Sequence, residues 1–293
     1  MIKVNGLTRS YGDIRAVDNI SFTINDGEIT GLLGPNGAGK TTTLRMLSCY
    51  LKPDSGSISF DGIDSADDPL SIKRMTGYLP ESAPLYGDMM VFDYLCYVAE
   101  LREIENSPDR IREVASLCRI RDVMHKSINE LSKGYKQRVG LAHAMIHDPK
   151  VLILDEPTSG LDPIEIVEIR NLIKELGKRK TVILSTHILS EVEATCDKVV
   201  IINRGKIVAD DATSKLQSAG GRDRNIIVRV GGTDFAGLSA ELSALPGIRN
   251  VAMINDSEFT SAIAGVDGDN EVRPDIFRKI AERGWVMYEM RQE

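Results

Sequence analysis

The sequence predicts an α/β fold, a large domain built around a mainly parallel sheet and followed by a small α+β domain. Three observations carry that expectation. Short β-branched apolar runs alternate with stretches of helical period through the first part of the chain. A glycine-rich loop, Gly34–Thr41, stands between one such run and a helical stretch. A small-residue and charged segment, Ser218-Ala219-Gly220-Gly221-Arg222-Asp223, separates this region from a β-α-β-β-α-β pattern. At 293 residues the chain is long for one average domain and suits one large domain plus a small one. The expected division is 1–218 and 224–293.

Each element has a local reason. Ile20-Ser21-Phe22-Thr23-Ile24 alternates apolar and polar side chains, as a strand with one wet face does. Asp26-Gly27 turns the chain into Glu28-Ile29-Thr30-Gly31-Leu32-Leu33, which runs directly into the glycine loop. A helix is expected from about Lys40, with Leu44 and Leu47 turned inward. Residues 91–104 and 108–147 are mostly of helical period and show no evident strand, giving an expected helical subdomain at about 88–147. Val151-Leu152-Ile153-Leu154, Thr181-Val182-Ile183-Leu184-Ser185 and Val199-Val200-Ile201-Ile202 are continuous runs, suited to strands covered on both faces. Asn203-Arg204-Gly205 closes a hairpin onto Lys206-Ile207-Val208-Ala209. Beyond the linker come strand 225–230, helix 235–244, strands near 248–254 and 259–264, helix 274–283 and strand 285–290. That order is the ferredoxin-like split unit.

Composition narrows the function classes. Hydrophobic residues at 42% and charged residues at 27% are ordinary globular usage and exclude a disordered or disulfide-dense chain. Cys49, Cys96, Cys118 and Cys196 are far apart and form no CxxC pair, so buried free thiols in a reducing compartment are expected. A net charge of −7 argues against nucleic acid as a main partner. No apolar run approaches the ~20 residues that cross a bilayer, and Met1-Ile2-Lys3-Val4-Asn5-Gly6 lacks the apolar core of a secretion signal. The expectation is a cytoplasmic chain that meets a membrane only through a partner.

The chemistry concentrates in two motifs. Gly34-Pro35-Asn36-Gly37-Ala38-Gly39-Lys40-Thr41 fits GxxxxGK[ST], follows a strand and opens a helix. Glycines let backbone N–H groups approach phosphates, and the helix N-terminus adds its positive dipole end. Lys40 is expected to reach the β- and γ-phosphates, and the Thr41 hydroxyl to ligate Mg²⁺. Asp155 and Glu156 end the apolar run 151–154. There Asp155 suits Mg²⁺ held through water, and Glu156 suits orienting and deprotonating an attacking water.

Taken with Leu131-Ser132-Lys133-Gly134-Tyr135-Lys136-Gln137-Arg138, Ser159-Gly160-Leu161-Asp162 and Ser185-Thr186-His187, these motifs resemble the ATP-binding-cassette ATPases over about residues 1–215. Gly77-Tyr78-Leu79-Pro80-Glu81 and the small C-terminal domain resemble the branch serving multidrug, polysaccharide and gliding-motility export. The resemblance implies a P-loop NTPase cassette with an added antiparallel β subdomain, binding ATP with Mg²⁺ and hydrolysing it. It implies a head-to-tail homodimer, or a heterodimer with another cassette subunit, on the inner face of the membrane through integral membrane transporter subunits. Residues 34–41 with Thr42 of one subunit would share each ATP with Ser132 and Gly134 of the other. His187 would contact the γ-phosphate, Asp162 would couple the two sites, and Glu81 would join Thr41 and Asp155 near the metal. Tyr11 reads as the aromatic under adenine, or as a core or surface tyrosine. His125, His143 and His147 lie on stretches read as helical and are taken as surface or packing residues.

Three positions depart from the commonest family form: Glu81 where glutamine is usual, Lys133 where glycine is usual, and Tyr135 where glutamine is usual. Pro84-Leu85-Tyr86 reads equally as a knob for a membrane partner or an anchor of its own loop. The competing function is a soluble cassette ATPase acting on ribosomes or DNA. One cassette per chain, no heptad run and the acidic balance weigh against it. The C-terminal domain shows no catalytic constellation, so a structural or oligomerising role is expected for it.

Overall fold

Which strands are buried on both faces decides the layout. The computed structural model describes residues 1–215, 224–254, 258–266 and 271–292; the expected linker at 218–223 lies outside them. The chain divides into two compact units, Met1–Ser214 and Lys215–Glu293.

In the first unit the strands are β1 (Ile2–Tyr11), β2 (Ile14–Ile24), β3 (Ile29–Leu33), β4 (Ser55–Phe60), β5 (Ile63–Asp64), β6 (Thr76–Leu79), β7 (Val151–Asp155), β8 (Thr181–Thr186), β9 (Lys198–Asn203) and β10 (Lys206–Ala212). β3, β7 and β8 are buried at every residue. They occupy the middle of a six-stranded sheet of order β10-β9-β3-β8-β7-β6, parallel except for the hairpin strand β10. Leu33 lies beside Thr186, and Asp155 beside Ser185, so the C-terminal ends of the three strands come level. In open parallel sheets this edge is where ligands bind.

A second, antiparallel sheet has the order β2-β1-β4-β5. Strand β2 starts at Ile14, well before the alternating stretch at Ile20, and its buried residues Val17, Ile20, Phe22 and Ile24 join the core. Between the two sheets runs helix α1 (Lys40–Leu47), with Leu44, Met46 and Leu47 turned inward. Helix α2 (Pro69–Met75) is capped by Asp68, whose side chain accepts from Ser71 N.

The helical block is α3 (Val91–Leu101), α4 (Ser107–Leu117) and α5 (Lys133–Met145). It departs from the expected long helical stretch 108–147. α4 stops at Leu117 because Arg119 takes φ 55°, a left-handed stop. The chain then passes through two 3₁₀ turns, Arg121–Val123 and Ile128–Glu130, the second closed by a Ser127/Glu130 capping box. His125 therefore sits in a turn, and His147 in the turn after α5; of the three, only His143 is helical. The half-buried His143 ring bonds the Tyr94 hydroxyl at 2.6 Å, and burial holds its pKa below the usual value. Helices α6 (Pro163–Gly177) and α7 (Leu189–Thr195) complete the unit. Cys118 and Cys196 are buried as expected, but Cys49, in the turn after α1, and Cys96 are only half-buried.

In the second unit β11 (Arg224–Gly231), β12 (Ile248–Ile254), β13 (Thr260–Val266) and β14 (Val286–Gln292) form an antiparallel sheet of order β12-β13-β11-β14. Helices α8 (Phe235–Ser243) and α9 (Arg273–Glu282) contribute Leu238, Leu242, Ile276 and Ile280 to a core with Ile226, Val228 and Val230. This is the ferredoxin-like order of elements. Among the described residues no helix is long and apolar enough to cross a membrane.

One close approach sets how α5 lies on the sheet: a Cβ on Gly77 of β6 would stand 2.0 Å from the Ala144 carbonyl oxygen. The oxygen is backbone and a Cβ is fixed rigidly to backbone, so neither moves cheaply. Gly77→Ala is expected to destabilise the first unit by about 2 kcal/mol or more, read as a lower urea midpoint than wild type.

Candidate functional site

The glycine loop leaves β3 against backbone on both sides. A Cβ on Gly34 would stand 2.1 Å from the Ile202 carbonyl oxygen. Gly39 has φ 109°, and a Cβ there would stand 2.4 Å from the Ala16 carbonyl oxygen. The loop is fastened by Gly34 N to Thr186 O at 3.3 Å and Gly205 N to Ala38 O at 2.9 Å. It ends on the first turn of α1, whose free N–H groups make an anion seat. Lys40 turns back inside it. Its ammonium donates to Gly34 O at 2.8 Å and Pro35 O at 3.3 Å, and lies 3.3 Å from Glu156 Oε1.

The two acids are set by β7 and β8 together. Asp155 Oδ1 accepts from Ser185 Oγ at 2.6 Å and Thr41 Oγ1 at 3.1 Å. Ser185 Oγ in turn accepts from Glu156 N at 2.9 Å. Glu156 takes φ 47°, a left-handed conformation that costs a non-glycine residue and turns its side chain back over the loop. Its carboxylate lies between Lys40 and His187, with Oε2 at 3.0 Å from His187 Nδ1. The His187 loop is held by buried Glu191 of α7. That carboxylate accepts from Thr158 Oγ1 at 2.7 Å and Thr186 Oγ1 at 2.6 Å, tying together the loops after β7 and β8.

These groups surround a cleft of about 460 Å³. Asn36, Gly37, Ala38, Gly39, Lys40, Thr41, Thr42, Tyr11, Glu81, Glu156 and His187 all line it. Gly34 and Pro35 shape the loop without lining the cleft, and Asp155 is buried behind Thr41. Tyr11 is 44% exposed, with the Arg9 guanidinium 5.4 Å from its ring centre. The Thr41 hydroxyl lies beside Asp155 Oδ1, and Glu81 lines the same cleft; this all-oxygen set suits a small hard cation such as Mg²⁺ that keeps several waters.

Ser132, Gly134 and Asp162 are not part of that lining. Ser132 caps α5, accepting from Tyr135 N at 3.3 Å, and Asp162 caps α6, accepting from Ile164 N and Glu165 N. The Tyr135 hydroxyl is committed to Asp122 at 2.6 Å. Lys133 lies along Gly160, its ammonium 2.2 Å from where a Cβ would stand, and so faces the loop carrying Asp162. Sequence reasoning did not single out Ser185, Glu191, Ala16, Ser159 or Glu165 as site residues. Ser185 had a signal, a hydroxyl two positions before His187 at a strand end. Glu191 had none, because a buried helical acid is invisible without the loops it joins.

Residues 17–159 match the family described as ABC transporter. The uncharacterized ABC transporter ATP-binding protein YxlF of Bacillus subtilis (strain 168) is 41% identical over 209 residues, 71% of this chain and 69% of that protein. The bacitracin transport ATP-binding protein BcrA of Bacillus licheniformis is 40% identical over 212 residues, 72% and 69% of the two chains. The dimeric structure of MJ0796, a bacterial ABC transporter cassette, superposes with a TM-score of 0.66 at 26% identity, covering 73% of this chain and 99% of that one.

Ser185 is the shared support of both acids. Ser185→Ala strands the Glu156 N–H and frees Asp155, each a buried polar loss of about 1–3 kcal/mol. Nucleotide turnover is expected to fall about tenfold or more, with nucleotide affinity changed far less, in parallel steady-state and equilibrium titrations.

Proposed function

The chain belongs to the ABC transporter family and is an ATP-binding, ATP-hydrolysing subunit, and on that premise we propose that it powers export through separate membrane subunits by ATP-driven closure of a head-to-tail pair of cassettes. One observation carries the reading. Lys40, Thr41, Glu156 and His187 gather at a single cleft, while Ser132, Gly134 and Asp162 lie outside its lining. One chain therefore holds half of a site, and a second cassette, identical or not, supplies the other half. The MJ0796 cassette, solved as a dimer, supports that arrangement.

Within the half-site the geometry supports the following roles. Backbone N–H groups of the loop and of α1 bind the phosphates, and Lys40 exchanges its loop carbonyls for phosphate oxygens. Glu156, freed from Lys40 by that exchange, orients water and takes its proton, while His187 holds the Glu156 carboxylate in place. Mg²⁺, held by Thr41 with Asp155 acting through water and Glu81 beside it, would neutralise phosphate charge. Tyr11 offers a face for adenine.

The membrane partners are proposed to dock near the Glu81–Tyr86 loop. A second cleft, of about 500 Å³, opens there against Pro80, Ala83, Leu85, Tyr94 and His143. Tyr86 is exposed, yet packs edge-on to Tyr94 and Tyr97 with ring centres 6.0 and 5.8 Å away, so the loop's knob is anchored on α3. Docking there would hold the chain at the inner face of the cell membrane, and movement of the loop on ATP binding would reach the partner through α3. The relationship to a bacitracin transport subunit supports transport as the work that ATP drives.

Glu156→Gln tests the scheme. The variant keeps a hydrogen-bonding side chain but not a base, so it is expected to bind ATP, lose steady-state hydrolysis and accumulate as an ATP-bound dimer in light scattering. Hydrolysis near the wild-type rate would move the general base elsewhere.

A further inference from the structure

We infer that Glu165 is a resident stand-in for the terminal phosphate of ATP: its carboxylate holds the start of α5 until a second cassette's nucleotide displaces it, and so sets the ATP concentration at which the pair closes. The inference rests on the head-to-tail reading, in which Ser132 and Gly134 meet the nucleotide carried by the other subunit.

Helices α5 and α6 are joined by Arg138 Nη2 to Glu168 Oε2 at 2.5 Å, with the arginine buried. Glu165 is three residues before Glu168 and so shares its face of α6, one turn nearer the helix start. That places it against the first turn of α5. Ser132 Oγ donates to Glu165 Oε1 at 3.3 Å. A Cβ on Gly134 would stand 2.2 Å from the same oxygen and 2.4 Å from Cδ, so the carboxylate is packed onto the glycine itself. The glycine that would admit a phosphate at this helix start admits the Glu165 carboxylate.

Two physical conflicts then make the occupancies exclusive. A serine hydroxyl has one proton to donate, and here Glu165 receives it. A phosphate oxygen arriving at Ser132 must take that proton for itself. The second conflict is charge. A carboxylate and a triphosphate terminus at one helix N-terminus compete for the same positive dipole end and repel each other as water is expelled. Closure therefore requires Glu165 to leave Ser132, and part of the binding energy of ATP is spent on that displacement. Asp162, bonded to Glu165 N at 2.8 Å, caps α6 independently of the Glu165 side chain, so the helix keeps its start when the side chain swings out.

The test compares the MgATP concentration giving half-maximal dimer in Glu156→Gln and in Glu156→Gln/Glu165→Gln, by light scattering at low and high salt. Removing the charge is expected to lower that midpoint about fivefold at low salt, with a smaller gap at high salt because screening weakens the repulsion. Glu165→Ala, which removes the group outright, is expected to shift the midpoint in the same direction. A carboxylate that only braces α5 against α6 would lower the melting temperature on removal and leave the midpoint unchanged or raised; that result overturns the inference while the ATP-dependent dimer persists. Absence of any MgATP-dependent dimer in Glu156→Gln alone removes the head-to-tail reading, and this inference with it.

Discussion

The ammonium of Lys40 is almost wholly withdrawn from water, and a buried charge without a counter-charge is strongly destabilising. The loop around it supplies only carbonyl oxygens, from Gly34 and Pro35. The formal balance comes from Glu156, reached because that residue accepts a left-handed φ at the end of β7. Much of the rest is built to hold that pairing. Ser185 fixes the Glu156 backbone, Glu191 fixes the loop that brings His187 to the carboxylate, and the backbone contacts at Gly34 and Gly39 fix the lysine's own loop.

The same logic links both halves of the proposed composite site. In the structure Lys40 is paired with Glu156, and Ser132 at the start of α5 donates to Glu165. Each carboxylate sits beside the groups that phosphate is proposed to meet. On the proposed scheme ATP would act by substitution: it would replace one internal anion beside Lys40, freeing a base, and another at the helix start, freeing the surface that closes. Chemistry and closure would then be coupled, because one ligand carries both replacements.

Sequence reasoning reached the parts whose residue types are dictated over a short span. The phosphate loop needs glycines where a Cβ would strike Ile202 O or Ala16 O, and that need is written within eight neighbouring residues. The buried runs 151–154 and 181–185 were legible as strands because both faces of β7 and β8 are covered. The six-element order after residue 223 was legible because apolar residues recur there at strand and helix spacing. What escaped depends on contacts between distant elements. The break in helix after Leu117 turns on a left-handed Arg119, a conformation that composition does not announce. Glu165 and Glu191 gain their meaning from hydroxyls 33 and 33 residues away respectively, Ser132 and Thr158. Asp155 and Glu156 were legible as acids, but their common dependence on Ser185 appears only once β7 lies beside β8.

The central claim is that each nucleotide is held between the phosphate loop of one subunit and the start of α5 of another. Mixing two differently tagged chains, both carrying Glu156→Gln, tests it directly by counting MgATP-dependent heterodimers. One chain adds Lys40→Ala and the other Ser132→Glu. In a head-to-tail pair both lesions fall at one site and the second site is intact, so the mixture is expected to form an ATP-dependent heterodimer although neither chain dimerises alone. Placing both lesions on a single chain and mixing it with the unlesioned Glu156→Gln chain damages each site once and is expected to give none. Equal heterodimer yield from the two mixtures would contradict a nucleotide shared between subunits.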